Sequence, residues 1–529
     1  MIKDKVKKLF ADKTLLAIIG ITLMIRLIGI RHGLPLLLNI DEPATVSATL
    51  SIKDNLSPDR FDWPHLFLYF NAAAYLVYTI VKYVISMFVE NPFGEDLPNY
   101  LFITRMLVTS FAAGTIVPIY YSTKNLTNNK YIGYLAALMV AVLPIHVDES
   151  HLAKLDIVQT FFAACALYFI INVYKHGRLK DFIWAGVLIG LTTSVKYNGF
   201  LLFLPLLIAA LLNKDSIKAW FDKLLFRNLF LSGVVSIITF YLGTPFALID
   251  YNKFWSTERG VGALWQFQNV GKVEAAEYPA SVYETFGSMY YQSLGPGLWI
   301  LFLVLVVLFL FFNKRSKIYL LTLLPVIFLS LYISMLERSP AHYYLTFVPF
   351  YILALSNFIF EIGDYINQKV FTTIKNPKIA YILISLMVLL PNLILAIKIS
   401  SIYQREDTRI SAFNWVKKNL NENQDYLYVY GEELELVPFQ KLNSTRIEKA
   451  DPDYIEHVPF YLVIGVDDLP KEVLFYGDRD TEMIDGDPGR ILQNADLVFE
   501  SSDVGKMGPA IYIFHVNEIA PKKPKPSKN

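Results

Sequence analysis

The sequence predicts a polytopic α-helical membrane protein that ends in a small α/β domain outside the membrane. Three observations carry that prediction. Hydrophobic residues make up 54% of the 529 residues, a share above that of ordinary soluble domains. Apolar runs of about 17 to 25 residues, the length that crosses a bilayer, recur up to residue 399. Beyond them the chain changes to short strand-like runs separated by Gly, Pro, Asp and Asn.

The elements follow in order. The N-terminus, MIKDKVKKLFADK, is rich in lysine and precedes the first apolar run, 14–31. No small-x-small cleavage site follows that run, so it reads as a retained span with a cytoplasmic start rather than a signal peptide. Further spans are expected at 100–123, 131–146, 155–174, 182–196, 198–213, 228–248, 291–312, 318–335, 342–360 and 379–399. The loops STKNLTNNK, KHGRLK, NKDSIKAWFDKLLFR and NKRSK are basic and belong in the cytoplasm by the positive-inside rule. With all four there, a crossing at 66–89 would break the parity. That stretch is expected to lie along the outer face or to dip into it, which leaves eleven crossings.

Residues 1–399 then form the membrane domain and 400–529 an extracytoplasmic α/β domain. In the tail, RISAFNWVKKNLNENQDYLYVYG reads as an amphipathic helix leading into a strand. YLVIGV and AIYIFHV have strand composition. The net charge of +1 gives no reason to expect nucleic acid as a partner. The single cysteine, Cys165, rules out an intramolecular disulfide.

With this topology, ionisable residues from distant parts of the chain collect at the outer lip. The first loop brings Asp41, Glu42 and Asp62. HVDESHLAKLD brings Asp148, Glu149, His151, Lys154 and Asp156, and Lys196 follows a span. Later loops add Glu258, Arg259, Lys272, Glu337, Arg338 and His342. Such a layout suits a reaction on a phosphate-bearing lipid. Cations hold phosphate, a carboxylate serves as base, and further carboxylates hold a divalent ion. Plainer readings exist for each residue. Asp41 with Pro43 suits a helix start, Asp156 precedes a helical run, and Lys196 can snorkel from a span end.

Six stretches in order carry a resemblance. They are NIDEP (39–43), FDWPHLFLYF (61–70), LPIHVDESHLAKLDIVQTFF (143–162), AGVLIGLTTSVKYNGFLLFLP (185–205), FYLGTPFALIDYNKF (240–254) and AHYYLTFVPF (341–350). The chain resembles the lipid-dependent GT-C glycosyltransferases, in particular relatives of dolichyl-phosphate-mannose protein mannosyltransferases and of lipid A aminoarabinose transferases. The resemblance implies a GT-C fold and a donor sugar carried on an undecaprenyl- or dolichyl-type polyprenyl phosphate. It also implies transfer with inversion to a lipid, glycan or protein acceptor at the outer face of the plasma membrane.

The same resemblance implies roles. Asp41 is the expected base, Glu42 its neighbour, and Asp156 the second acid. Lys196 is the expected phosphate ligand, Arg338 and His342 a second phosphate contact, and Glu149 a substrate contact. Some relatives need a metal (Mg, Mn or Zn) and others do not; Asp62 and Asp156 are the candidate ligands here. The chain also departs from its relatives. Asn39-Ile40 stands where many have His-Pro, and Trp63 and His65 stand where the aminoarabinose transferases have a lysine and a second proline.

Two other classes compete. A transporter or flippase would bury ionisable residues at mid-span, whereas here the charges crowd the lip, with Arg26 and Arg105 as exceptions near span ends. A scaffold without activity would have no use for the acid pair of the first loop.

Overall fold

The structure is a computed structural model. It describes residues 10–39, 41–90, 93, 96–270, 278–311, 316–336, 339–369, 378–421, 425–431, 434, 435, 437–439, 444–449, 451–466, 488–501 and 507–521. The chain divides into two compact units. One comprises 1–28 with 44–400, and the other 29–43 with 401–529. The first loop is therefore split: residues 29–43 group with 401–529, and the boundary falls inside the helix Asp41–Asn55.

The helical unit contains the runs expected to span, except that the first, 14–31, leaves it after Ile28. Seven helices among the described residues are long and apolar enough to cross a membrane, or eight if one bent pair counts as a span. Six of the eleven expected runs largely overlap six of those seven helices, and a seventh corresponds to the bent pair. The other four form shorter helices, Lys13–Leu27, Leu179–Val195, Tyr197–Leu212 and Lys317–Ile333. The stretch expected along the outer face is a single 21-residue helix, Leu66–Ser86, with the length and apolarity of a span.

Local signals explain several boundaries. Asp12 caps Lys13–Leu27 by accepting from Leu15 N at 3.1 Å, and it also accepts from the hydroxyls of Tyr134 and Tyr120. One carboxylate thus ties three helices. The run expected as a straight span at 131–146 breaks before Pro144. Leu143 is extended there, as a residue preceding proline prefers to be, and Lys130–Ala141 meets Pro144–His151 at 60°. The fully buried Arg26 covers that break. It donates to Ala141 O at 2.9 Å and Val140 O at 3.2 Å, and lies 2.8 Å from His146 Nδ1. Carbonyls at a helix end run short of intrahelical donors; the guanidinium supplies one to Ala141 O and adds one to Val140 O, which also accepts from Leu143 N.

Leu179–Val195 packs closely on Lys223–Gly243. A Cβ at Gly186 or Gly190 would stand 2.4 Å from Ser232 O or Ser236 O. Small residues four apart let the two backbones approach, as is common between helices in membranes.

Among its described residues the second unit has the strands β1 Leu427–Tyr430, β2 Ser444–Arg446, β3 Phe460–Val466, β4 Ala495–Ser501 and β5 Ala510–Val516. They form one mixed sheet of order β2-β1-β3-β5-β4. The expected runs YLVIGV and AIYIFHV are β3 and β5, and they pair antiparallel. Period-two alternation sorts their side chains onto two faces. Leu462, Ile464, Tyr512 and Phe514 pack with Ile491. Val463, Ile511 and Ile513 pack with Ala412 and Val416 of the helix Thr408–Asn419, and with Leu38.

Candidate active site

Asp156 is the first residue of the helix Asp156–His176 and is buried. A carboxylate at a helix N-terminus is favoured by the backbone dipoles. Here the side chain turns to a cation: Lys196 Nζ donates to Asp156 Oδ1 at 2.6 Å. Lys196 reaches it because the chain breaks at that residue. The helix Leu179–Val195 ends, Lys196 is extended at φ −151°, and a 3-10 turn begins at Tyr197. The ammonium also lies 4.6 Å from the centre of the Tyr343 ring, a cation–π contact.

One turn beyond Asp156, Gln159 joins three elements. Its amide nitrogen donates to Lys196 O at 3.3 Å and to Asn198 Oδ1, and its oxygen accepts from Thr346 at 2.8 Å. Thr160 donates to the backbone oxygens of Asp156 and Leu345. The 3-10 segment Ala341–Phe347 is thereby fixed beside the ion pair. It carries His342, whose Nδ1 is 3.8 Å from Glu149 Oε1. Glu149 is buried, and its Oε2 has no hydrogen-bond partner among the described residues. A buried carboxylate oxygen without a donor is costly, so this position suits a hydrogen-bond-donating group of a substrate.

The structure thus brings together four residues singled out from the sequence: Asp156, Lys196, Glu149 and His342. Asp62 lies in a separate arrangement of the helical unit. Arg60 grips its carboxylate with two nitrogens, Trp63 N donates to it at 3.1 Å, and the guanidinium sits 4.2 Å over the Trp63 ring. Tyr197, next to Lys196, donates to Phe61 O at 2.6 Å and so ties this loop to the lysine turn. His65 lies beneath it, with Nε2 2.8 Å from Arg60 O; burial pushes its imidazole down to about 4 and keeps it neutral.

A metal shared by Asp62 and Asp156 does not fit this arrangement, because each carboxylate is occupied by its own cation. Among the described residues no three His, Cys, Asp or Glu side chains group as metal ligands. His146 and His151 are likewise engaged, His146 with Arg26 and His151 with the carbonyls of Val147 and Ile28.

Asp41 and Glu42 belong to the second unit. They open the helix Asp41–Asn55, two residues ahead of the proline expected to start it. Asn39 Oδ1 accepts from Asp41 N at 3.0 Å. Asp41 is exposed and Glu42 fully buried. Arg338 lies outside the described residues, as do Lys272 and Glu337.

Sequence reasoning missed Gln159, Asn198, Thr346, Tyr343 and Arg60. Gln159 carried a readable signal. It is a polar residue inside an apolar run, three positions after an acid, hence on the same helix face.

Residues 102–242 match the family described as dolichyl-phosphate-mannose-protein mannosyltransferase. That region contains Glu149, Asp156 and Lys196. This chain is similar to the GT-C glycosyltransferases of that family. The fold agrees. An oligosaccharyltransferase of Archaeoglobus fulgidus, tethered with an acceptor peptide, superposes with a TM-score of 0.53 at 13% identity, covering 96% of this chain and 74% of that one. ArnT from Cupriavidus metallidurans, bound to undecaprenyl phosphate, gives a TM-score of 0.49 at 12% identity, covering 96% of this chain and 98% of that one. No curated protein matches the chain by sequence. The apolar helices and the family match support a multi-pass membrane protein.

Proposed function

We propose that the chain is a membrane glycosyltransferase that moves a sugar from a polyprenyl-phosphate carrier to an acceptor at the outer face of the membrane, with inversion. The observation that carries this reading is the Lys196–Asp156 pair at 2.6 Å, set among Tyr343, His342 and Glu149 where helices end or break. Breaks of this kind bring side chains of opposite charge to one place that a continuous helix would keep in separate registers.

In this reading the acceptor hydroxyl gives its proton to Asp41 as its oxygen bonds to the anomeric carbon. The bond from that carbon to the phosphate oxygen breaks, and the lipid phosphate leaves with the electron pair. Lys196 meets the charge that grows on the leaving phosphate, and stabilisation aimed at developing charge is what accelerates the step. Asp156 holds the ammonium in place between turnovers. His342 and Arg338 supply further phosphate contacts, Glu42 supports Asp41, and Glu149 accepts from a hydroxyl of the donor sugar. The N-terminus lies in the cytoplasm and the C-terminal unit outside.

The test is incubation of the purified protein with a panel of polyprenyl-phosphate sugars and a cell-envelope extract as the source of acceptors, with mass spectrometry for released lipid phosphate. Release from one donor class is expected. Release from none, with donor binding verified, sinks the reading.

A further inference from the structure

Residues 401–529 have no part in the steps above, yet they group with the segment that carries Asp41. Residues 29–43 group with 401–529, and the contacts are specific. We propose that the C-terminal unit is the mount of the Asp41 segment, and that Arg409 is the positioning residue that sets it. The proposal rests on the reading of Asp41 as base.

Arg409 is buried near the start of the helix Thr408–Asn419. Its Nε and Nη2 donate to the two oxygens of Asp407 at 2.9 and 2.8 Å. That two-point pairing fixes the plane of the guanidinium. Nη1 donates to Leu38 O at 2.8 Å, across 371 positions of sequence. Asp407 is fixed in turn, because it caps the helix by accepting from Arg409 N at 2.9 Å. The Leu38 side chain is buried among Ala412, Val416, Val463 and Ile513. Backbone and side chain of Leu38 are therefore both held by the sheet unit, three residues before Asp41. The next residue, Asn39, binds Asp41 N.

The other end of the segment is held as well. Gly29 has φ +76°, and a Cβ there would stand 2.5 Å from the backbone carbon of Tyr403. The His32 ring lies 4.6 Å from the Tyr403 ring. The segment that leads to Asp41 is thus held at Gly29 and at Leu38. An unclamped one would present its carboxylate over a range of positions, and displacement of a catalytic group by about 1 Å can cost about 100-fold in rate.

The experiment compares wild type, Arg409→Met, Arg409→Lys and Asp41→Asn in the full-length protein, by transfer kinetics and by hydrogen exchange. Arg409→Met should lower kcat about 100-fold with the donor KM unchanged. It should speed exchange over 36–43 and leave β3 and β5 protected, which separates a loosened segment from a misfolded sheet. Arg409→Lys keeps a donor for Leu38 O and should recover part of kcat. Unchanged exchange over 36–43 in Arg409→Met overturns the mount, whatever the activity. A raised donor KM at unchanged kcat overturns the positioning role. Faster exchange together with a fully active Asp41→Asn overturns the base reading instead, and with it the catalytic half of this proposal.

Discussion

Lys196 and Asp156, forty residues apart, meet at 2.6 Å with both side chains largely withdrawn from solvent. Removing one partner of such a pair strands the other charge, at a cost of about 3–5 kcal/mol, whereas removing both can be nearly neutral. Lys196→Met should therefore lower thermal stability as well as turnover. Lys196→Met with Asp156→Asn should regain the stability and remain inactive. Equal melting of wild type and Lys196→Met would show that the pair carries no such coupling; recovered turnover in the double variant would remove Lys196 from the reaction.

Asp41→Asn keeps the size of the side chain and the backbone contact of Asp41 N with Asn39. It removes the group that takes the proton. Loss of a general base costs about 100- to 10,000-fold. Transfer should fall by that factor while donor binding stays within about twofold, a ceiling set by the absence of base chemistry in ground-state binding. Full activity would exclude the role of base.

Arg26 donates to the carbonyls of Ala141 and Val140 at the broken span, and Val140 O also accepts from Leu143 N at 3.4 Å. Arg26→Met takes that donor from Ala141 O, a loss of about 1–3 kcal/mol. The segment from Pro144 to Glu149 should then shift, and turnover should drop together with the melting temperature. An unchanged melting temperature would mean that Ala141 O finds another donor.

His65 is neutral when folded, its imidazole pushed down to about 4 by burial. Unfolded, it takes up a proton near pH 6.5. Between those values the unfolded state binds more protons, so stability rises with pH. This residue should cost on the order of 3 kcal/mol as pH falls from 7 to about 4. Thermal melting across that range measures it, and His65→Phe should flatten the slope. The same slope in wild type and variant would assign the pH dependence to other groups.

Much of the helical unit was legible in the sequence, because hydrophobic length is a local property. The 131–146 run reads as one span; Pro144 is the local cause of its break, and Arg26 reaches that break from another helix. Leu66–Ser86 shows the limit of parity arguments. Basic loops place it on the outer face, while its length and apolarity are those of a crossing helix.

For the site, the residue types were readable and their pairing was not. Glu149, Asp156, Lys196 and His342 stand out by sequence because charge is rare beside apolar runs. Which acid meets which base depends on where four chain segments converge, and so does the orphaned oxygen of Glu149.

By itself, then, the sequence determined a multi-span membrane chain with an α/β tail and its inventory of acids and bases, since both follow from composition along short stretches. Only the tertiary structure decided that Asp62 is closed by Arg60, that Asp156 is closed by Lys196, and that the segment before Asp41 hangs from Arg409. Those contacts reach as far as 371 positions along the chain. No local propensity encodes such a distance. It is set by how the helices and the sheet bury their apolar faces.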